Sequence, residues 1–150
     1  MDSSLPGCIL LVEDDENDII LMERACRKAN FNIQFEICRD GDRAVQYLET
    51  IMSLDDSSSL TLPLLVLLDL KLPRRSGLEV LTWIRQHPTF NKIPVIILTA
   101  SDERLDIKRA YELHANSYLV KPISFQDLVH LVQSVKTYWL ELNRNPEFRY

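Results

Sequence analysis

The chain lacks any long apolar run. None of its hydrophobic stretches approaches the roughly 18 to 20 residues that cross a bilayer, which argues against a transmembrane segment. The first residues, Met1-Asp2-Ser3-Ser4, carry no basic region, so neither a secretory signal nor a transit peptide is predicted. We therefore expect a cytoplasmic protein without a membrane partner.

Paired cysteines and basic patches are also missing. Cys8, Cys26 and Cys38 form no Cys-x-x-Cys pair and have no histidine at metal-ligand spacing, so buried thiols are expected rather than a zinc site. The formal net charge is −5, and the only dense basic spot is the Arg74-Arg75 pair. Nucleic acid is therefore not an expected partner.

What remains is the composition of one globular domain. Charged residues make up 26% of the 150 residues and apolar residues 46%, which is typical of soluble domains. A chain of this length can bury roughly 70% of the surface that it exposes when unfolded. We expect a single domain over 1–150, with an extended last helix and a short tail.

The hydrophobic pattern predicts five βα units. Strand-like runs alternate with stretches of helical spacing, and they lie at 8–13, 33–38, 64–69, 93–98 and 117–120. The third and fourth runs are continuously apolar, which indicates strands of a parallel sheet covered by helices on both faces. The polar, serine-rich segment 54–63 is predicted to be an exposed loop.

Two helices have readable details. Leu78, Leu81 and Ile84 form the expected inward stripe of the third helix. Ser124 is a candidate N-cap of the fifth helix, with Asp127 three residues later as in a capping box.

Acidic, hydroxyl and amine side chains follow the predicted strands. Glu13, Asp14 and Asp15 come from the end of the first strand, Asp69 from the third, Thr99 from the fourth and Lys121 from the fifth. The carboxyl ends of parallel strands share one edge of a sheet, so these side chains should be neighbours. Two carboxylates about 4 Å apart repel by some 4 kcal/mol at an effective dielectric of 20, so they would bind a cation or hold a proton. Magnesium fits this set, and an aspartate beside it can attack phosphorus.

These residues resemble the receiver domains of two-component response regulators. The matches span about residues 8–138 and comprise Val12-Glu13-Asp14, Leu68-Asp69 with Leu72-Pro73 and Gly77, Leu98-Thr99-Ala100, and Tyr118-Leu119-Val120-Lys121-Pro122. The stretch 69–77 is most similar to the small regulators that are paired with cyanobacterial phytochromes. The resemblance implies an α/β, flavodoxin-like doubly wound sheet of five parallel strands in the order 2-1-3-4-5, flanked by five helices.

The resemblance also implies the metal chemistry. Asp69 would accept a phosphoryl group from a histidine kinase, with a phytochrome-type kinase as the candidate. Asp14 would bind Mg²⁺ directly, Glu13 through water, and the Lys71 backbone carbonyl would complete the protein ligands.

The same resemblance assigns the groups around the phosphoryl group. Thr99 would hydrogen-bond it and Lys121 would pair with it, while Tyr118 would change rotamer when Thr99 moves inward. Lys71 and Ser101 would flank the path of the attacking water and tune the phosphoryl lifetime. The Lys121–Pro122 bond would be cis.

Two features lie outside that core pattern. His114 stands where the family usually has glycine, and a left-handed backbone there would cost roughly 1 kcal/mol relative to glycine. The last helix is predicted to overhang the sheet near Tyr138, Trp139 and Leu142. This overhang is either an ordinary core with a frayed tail or a surface for a homodimer or partner, formed with the fourth helix and fifth strand.

Two competing functions are weaker. A haloacid-dehalogenase-type phosphohydrolase would need a second aspartate two residues after the nucleophile, where this chain has Lys71, and no cap domain fits in the length. A receiver-like binding module that is never phosphorylated would normally have lost an acid, the threonine or the lysine, and none is missing. The prediction is a signalling switch that catalyses only its own phosphorylation and dephosphorylation.

Overall fold

The five predicted strands form one parallel sheet. The computed structural model describes residues 7–53 and 62–146, so most of the predicted serine-rich loop lies outside the described residues. The strand order is β2-β1-β3-β4-β5, which confirms the flavodoxin-like topology. The strands are β1 (Cys8–Val12), β2 (Gln34–Cys38), β3 (Leu65–Leu68), β4 (Val95–Thr99) and β5 (Ser117–Val120).

Helices cover both faces of the sheet. They are α1 (Glu16–Lys28), α2 (Gly41–Ser53), α3 (Gly77–Gln86), α4 (Arg104–Glu112) and α5 (Phe125–Val135). Alternate residues of each central strand enter two separate cores, one against α1 and α5 and the other against α2, α3 and α4. For this reason β3 and β4 are apolar at every position instead of every second one.

The details predicted for two helices agree with the structure except at one position of α3. Leu81 and Ile84 are fully buried as predicted, but Val80 is the third buried apolar side chain of α3, and Leu78 is only half-buried. The Ser124 side chain caps α5 by accepting a hydrogen bond of 3.0 Å from the Asp127 amide. Within the described ranges, no helix combines the length and the apolar character that a membrane crossing requires.

The predicted extension of the last helix is present but changes its winding. Residues Lys136–Leu142 continue α5 as a π-helix, which ends where the Asn143 amide donates to the Tyr138 carbonyl at 2.7 Å. Trp139 lies against the core shared by α1 and α5, whereas Tyr138 and Leu142 are exposed. The three interface candidates are therefore not equivalent, because Trp139 is half-buried while Tyr138 and Leu142 are exposed.

Candidate functional site

Two neighbouring strands bring the principal acids together. Val12 and Leu68 are paired in register, so Glu13 and Asp69, which directly follow them, lie side by side. The Asp69 amide donates to the Val12 carbonyl at 3.1 Å, which holds the acid at the end of the strand. Both carboxylates are buried, Glu13 being 4% and Asp69 7% exposed.

Asp14 completes a group of three carboxylates. One oxygen from each of Glu13, Asp14 and Asp69 can be chosen so that all three lie within 4.8 Å of one another, and Asp14 is exposed to solvent. Magnesium binds through one or two carboxylates and keeps several waters. An all-oxygen group that is open to solvent on one side therefore fits a hard divalent cation.

Lys121 supplies the positive charge that the acids require. Its amide donates to the Thr99 carbonyl at 2.7 Å, which extends the pairing of β4 and β5 to the site. Its ammonium donates to Asp69 and to Asp18, each at 2.8 Å, and to Glu13. Burial lowers the pKa of Lys121, but the bonds to the three carboxylates outweigh burial and raise it above its usual value.

The pKa values of the two buried acids shift in opposite directions. Burial, reinforced by the charge of Asp69, raises the pKa of Glu13 to about 7 despite its bond to Lys121. Burial also acts to raise the pKa of Asp69, but hydrogen bonds from Lys121 and Thr99 outweigh it and hold that pKa below its usual value. The lowered pKa of Asp69 favours its ionised form, the form in which a carboxylate can act as a nucleophile.

The loop after β3 is built around a close backbone approach. A Cβ atom on Gly77 would lie 2.1 Å from the Asp69 carbonyl oxygen, so no side chain fits there. The Gly77 amide donates to the Leu70 carbonyl at 2.8 Å and closes the loop. The Lys71 amide lies 3.4 Å from Asp69 Oδ1, so Lys71 is adjacent to the acid, while its role as a carbonyl ligand stays a prediction.

Ser101 and Tyr118 lie on the side of the site that faces α4. The Tyr118 hydroxyl donates to the Ser101 carbonyl at 2.8 Å, and the Ser101 hydroxyl bonds to Asp106 at 2.6 Å. Asp106 belongs to the first turn of α4, and Thr99 is 1% exposed beneath this loop. The segment 99–101 thus links the end of β4 to the first turn of α4 through the hydrogen bond between Ser101 and Asp106.

The prediction of a cis Lys121–Pro122 bond is wrong, because no peptide bond in the described residues is cis. The trans form is the intrinsically favoured one, by about 0.5–1 kcal/mol before proline. Lys121 already reaches all three carboxylates with the bond in the trans form. His114, in contrast, has φ 68°, the left-handed backbone considered for this position in place of glycine.

Asp18 is a residue of the site that was not predicted from the sequence. It lies in the first turn of α1, whose N-cap Asp15 accepts a hydrogen bond of 3.1 Å from the Asp18 amide. Asp14 and Asp18 are four residues apart, a spacing that brings side chains together when the chain is helical. That spacing was the available signal, and it was obscured because helix α1 begins only at Glu16.

The family model for the response regulator receiver domain matches residues 9–133. The chain belongs to this family. It is 44% identical over 141 residues to the probable methanogenesis regulatory protein FilR2 of Methanothrix harundinacea, covering 94% of this chain and 88% of that protein. It is 39% identical over 140 residues to response regulator Rcp1 of Synechocystis, covering 93% of each chain.

Solved receiver structures agree with the fold and with the choice of ion class. The Mn²⁺-bound form of Rcp1 superposes with a TM-score of 0.80 at 38% identity, over 94% of this chain and 99% of that one. The phosphorylated cyanobacterial phytochrome response regulator RcpA gives a TM-score of 0.82 at 34% identity, over 93% and 98%. This receiver is therefore similar to one response regulator solved with Mn²⁺ and to a phytochrome response regulator solved in its phosphorylated form.

Proposed function

We propose that this receiver accepts a phosphoryl group on Asp69 from a histidine kinase. The observation that carries the proposal is the position of the Lys121 ammonium, 2.8 Å from a buried Asp69 that stands within 4.8 Å of the oxygens of Glu13 and Asp14. A carboxylate that could act as the nucleophile, a cation and a group of carboxylates that could hold a metal thus meet at one sheet edge. In-line attack by an Asp69 oxygen would form the P–O bond as the P–N bond to the donor imidazole breaks.

The surrounding residues would bind and orient the reacting groups. Asp14, Glu13 through water and the Lys71 carbonyl would hold Mg²⁺, which supplies positive charge for the phosphoryl oxygens. Thr99 would donate a hydrogen bond and Lys121 a point charge to the remaining oxygens. Lys71 is exposed, so together with Ser101 it can affect the access of the hydrolytic water and hence the lifetime of the acyl phosphate.

The output of the switch would be a change in the surface that includes α4 and β5. Tyr118 is tied to the Ser101 carbonyl, so an inward movement of Thr99 would loosen that bond and let the tyrosine change rotamer. Leu105, Tyr111 and Val120 are exposed apolar residues on this face. We propose that this face, together with the surface around Tyr138, Trp139 and Leu142, forms a homodimer or contacts a downstream partner.

Similarity to Rcp1 and RcpA supports a phytochrome-type histidine kinase as the phosphodonor. A hydrolase is disfavoured because Lys71 occupies the place of the required second acid. We propose that the chain catalyses its own phosphorylation and dephosphorylation and no multiple-turnover reaction on another substrate.

The test is incubation with acetyl phosphate and Mg²⁺, followed by the mass of the intact protein. We expect one added phosphoryl group in the wild type and in Asp127→Asn, an exposed acid of α5. Asp69→Asn and wild type with EDTA should gain none. Equal addition in Asp69→Asn would refute the mechanism, and no addition in the wild type would favour a binding module that is never phosphorylated.

A further inference from the structure

We propose that Asp18 is a positioning residue that takes up the Lys121 ammonium when Glu13 and Asp69 engage a divalent cation. This inference rests on the proposed function of the site. It assigns to Asp18 a role in setting the metal affinity of the receiver without making Asp18 a metal ligand.

The Lys121 ammonium has as many donors as it has carboxylate partners. A lysine ammonium has three N–H groups, and here they face three carboxylates, those of Glu13, Asp18 and Asp69. No donor is left for a phosphoryl oxygen. Lys121 must therefore release at least one carboxylate before it can take part in phosphoryl binding.

Two of the three carboxylates that accept from Lys121 are also candidate metal ligands. Glu13 and Asp69 belong to the carboxylate group with ligand geometry, and Asp18 does not. When a cation approaches, its charge competes with the ammonium for Glu13 and Asp69. Asp18 is the acceptor that the cation does not require, so it keeps the ammonium near the site but off the ligands.

Asp18 is the most exposed of the three carboxylates that accept from Lys121. Its side chain is 37% exposed, against 5% for Glu13 and 9% for Asp69, so water solvates Asp18 at the lowest cost whenever Lys121 turns to a phosphoryl group. Asp18 also lies in the first turn of α1, where the helix dipole favours a carboxylate even without a partner. The Asp18 carboxylate therefore costs little free energy whether or not it binds the ammonium.

The test measures Mg²⁺ affinity directly by titration calorimetry. In Asp18→Asn the ammonium keeps only Glu13 and Asp69 as strong partners, so Mg²⁺ must displace it fully and the dissociation constant should rise roughly fivefold. Glu16→Gln is the matched control, since it removes one charge from the same helical turn, where Glu16 pairs with Arg39 and not with Lys121. Glu16→Gln should change the dissociation constant by less than about twofold.

A double-mutant cycle separates action through Lys121 from the simple loss of a negative charge. In a Lys121→Met background, Asp18→Asn should weaken Mg²⁺ binding no more than Glu16→Gln does. Asp18→Glu should restore part of the wild-type affinity because a carboxylate is kept. Equal effects of Asp18→Asn and Glu16→Gln, or an undiminished effect without Lys121, would overturn the proposal.

The outcome is distinguishable from failure of the proposed function. If wild type binds no Mg²⁺ and gains no phosphoryl group, the site itself has been misassigned. If wild type does both while Asp18→Asn behaves as Glu16→Gln, only the role of Asp18 is refuted.

Discussion

The two ends of the sheet each contain a cation surrounded by oxygen atoms, but the oxygens differ in charge. At the carboxyl end Lys121 faces the carboxylates of Glu13, Asp18 and Asp69. At the opposite end Arg85 of α3 donates to the carbonyls of His114, Asn91 and Ile93 at 2.9–3.1 Å and to the Asn116 side chain at 2.7 Å.

The pKa values of the two cations therefore shift in opposite directions. Three carboxylates around Lys121 raise its pKa, whereas burial among neutral acceptors lowers the pKa of Arg85. A cation held by excess negative charge can be exchanged for another cation. A guanidinium held by carbonyls has no competitor, so it acts as a permanent tie between α3 and the segments that lead into β4 and β5.

The largest effect is expected from removing Lys121. In Lys121→Met three clustered carboxylates lose their cation, and loss of one partner of a buried ion pair costs about 3–5 kcal/mol. Mg²⁺ should make this loss smaller, because without the ammonium the ion binds the carboxylates more tightly than in wild type, and each tenfold gain in affinity adds about 1.4 kcal/mol. Urea unfolding in EDTA and in Mg²⁺ measures both, and an equal loss in the two conditions would contradict an exchangeable cation.

Replacement of Arg85 should cost less and should be insensitive to metal. Arg85→Met leaves the carbonyl acceptors at this end of the sheet without their donor. We expect this loss to lower the free energy of unfolding by about 2–3 kcal/mol. Mg²⁺ should add the same increment as in wild type. Arg39→Met, which breaks only an exposed pair with Glu16, is the control and should cost less than about 1 kcal/mol.

A third effect is a pH dependence of stability that comes from the carboxyl end of the sheet. The pKa of Glu13 is about 7 in the native protein, against 4.5 for the free group. Between these two pH values the native protein holds a proton that the unfolded chain releases. Without metal, stability should therefore fall as pH rises from 4.5 to about 7. Asp69, with a lowered pKa, acts in the opposite sense and loses its contribution only on acidification below 3.8.

Urea midpoints measured in EDTA across this window test the assignment. Glu13→Gln keeps the size of the side chain but cannot titrate, so its midpoint should vary less with pH than that of wild type. Arg85→Met should retain the wild-type pH dependence at lower overall stability. A wild-type slope that survives in Glu13→Gln would place the proton elsewhere.

The difference between the two ends also explains what the sequence could reveal. Glu13, Asp69, Thr99 and Lys121 were predictable because each follows an apolar run that marks a strand, and parallel strands end at one edge. Asp18 was missed because its contact depends on the orientation of α1 rather than on a strand end. The Arg85 tie was not predicted because three of its four acceptors are backbone carbonyls, whose hydrogen bonds leave no pattern in the sequence.

Other details depended on packing that periodicity does not determine. The spacing of Leu81 and Ile84 predicted the inward side of α3, but the choice between Val80 and Leu78 depends on the exact rotation of the helix. The π-helical winding of Lys136–Leu142 has no counterpart in the apolar spacing, which reads the same for a regular helix.

The smallest effect concerns the backbone at the Arg85 end. His114 has φ 68° and its carbonyl accepts from Arg85, so a left-handed residue is needed at this turn. His114→Gly should raise the free energy of unfolding by up to about 1 kcal/mol because the Cβ strain disappears while the carbonyl remains. Asn30 has φ 54° after α1, and Asn30→Gly should gain less, since asparagine tolerates this conformation. Urea unfolding measures the change in stability of the two variants. Their Mg²⁺ affinity should equal that of wild type, because His114 and Asn30 both lie away from the carboxylates. A shift in metal affinity with His114→Gly would show that the two ends of the sheet are coupled.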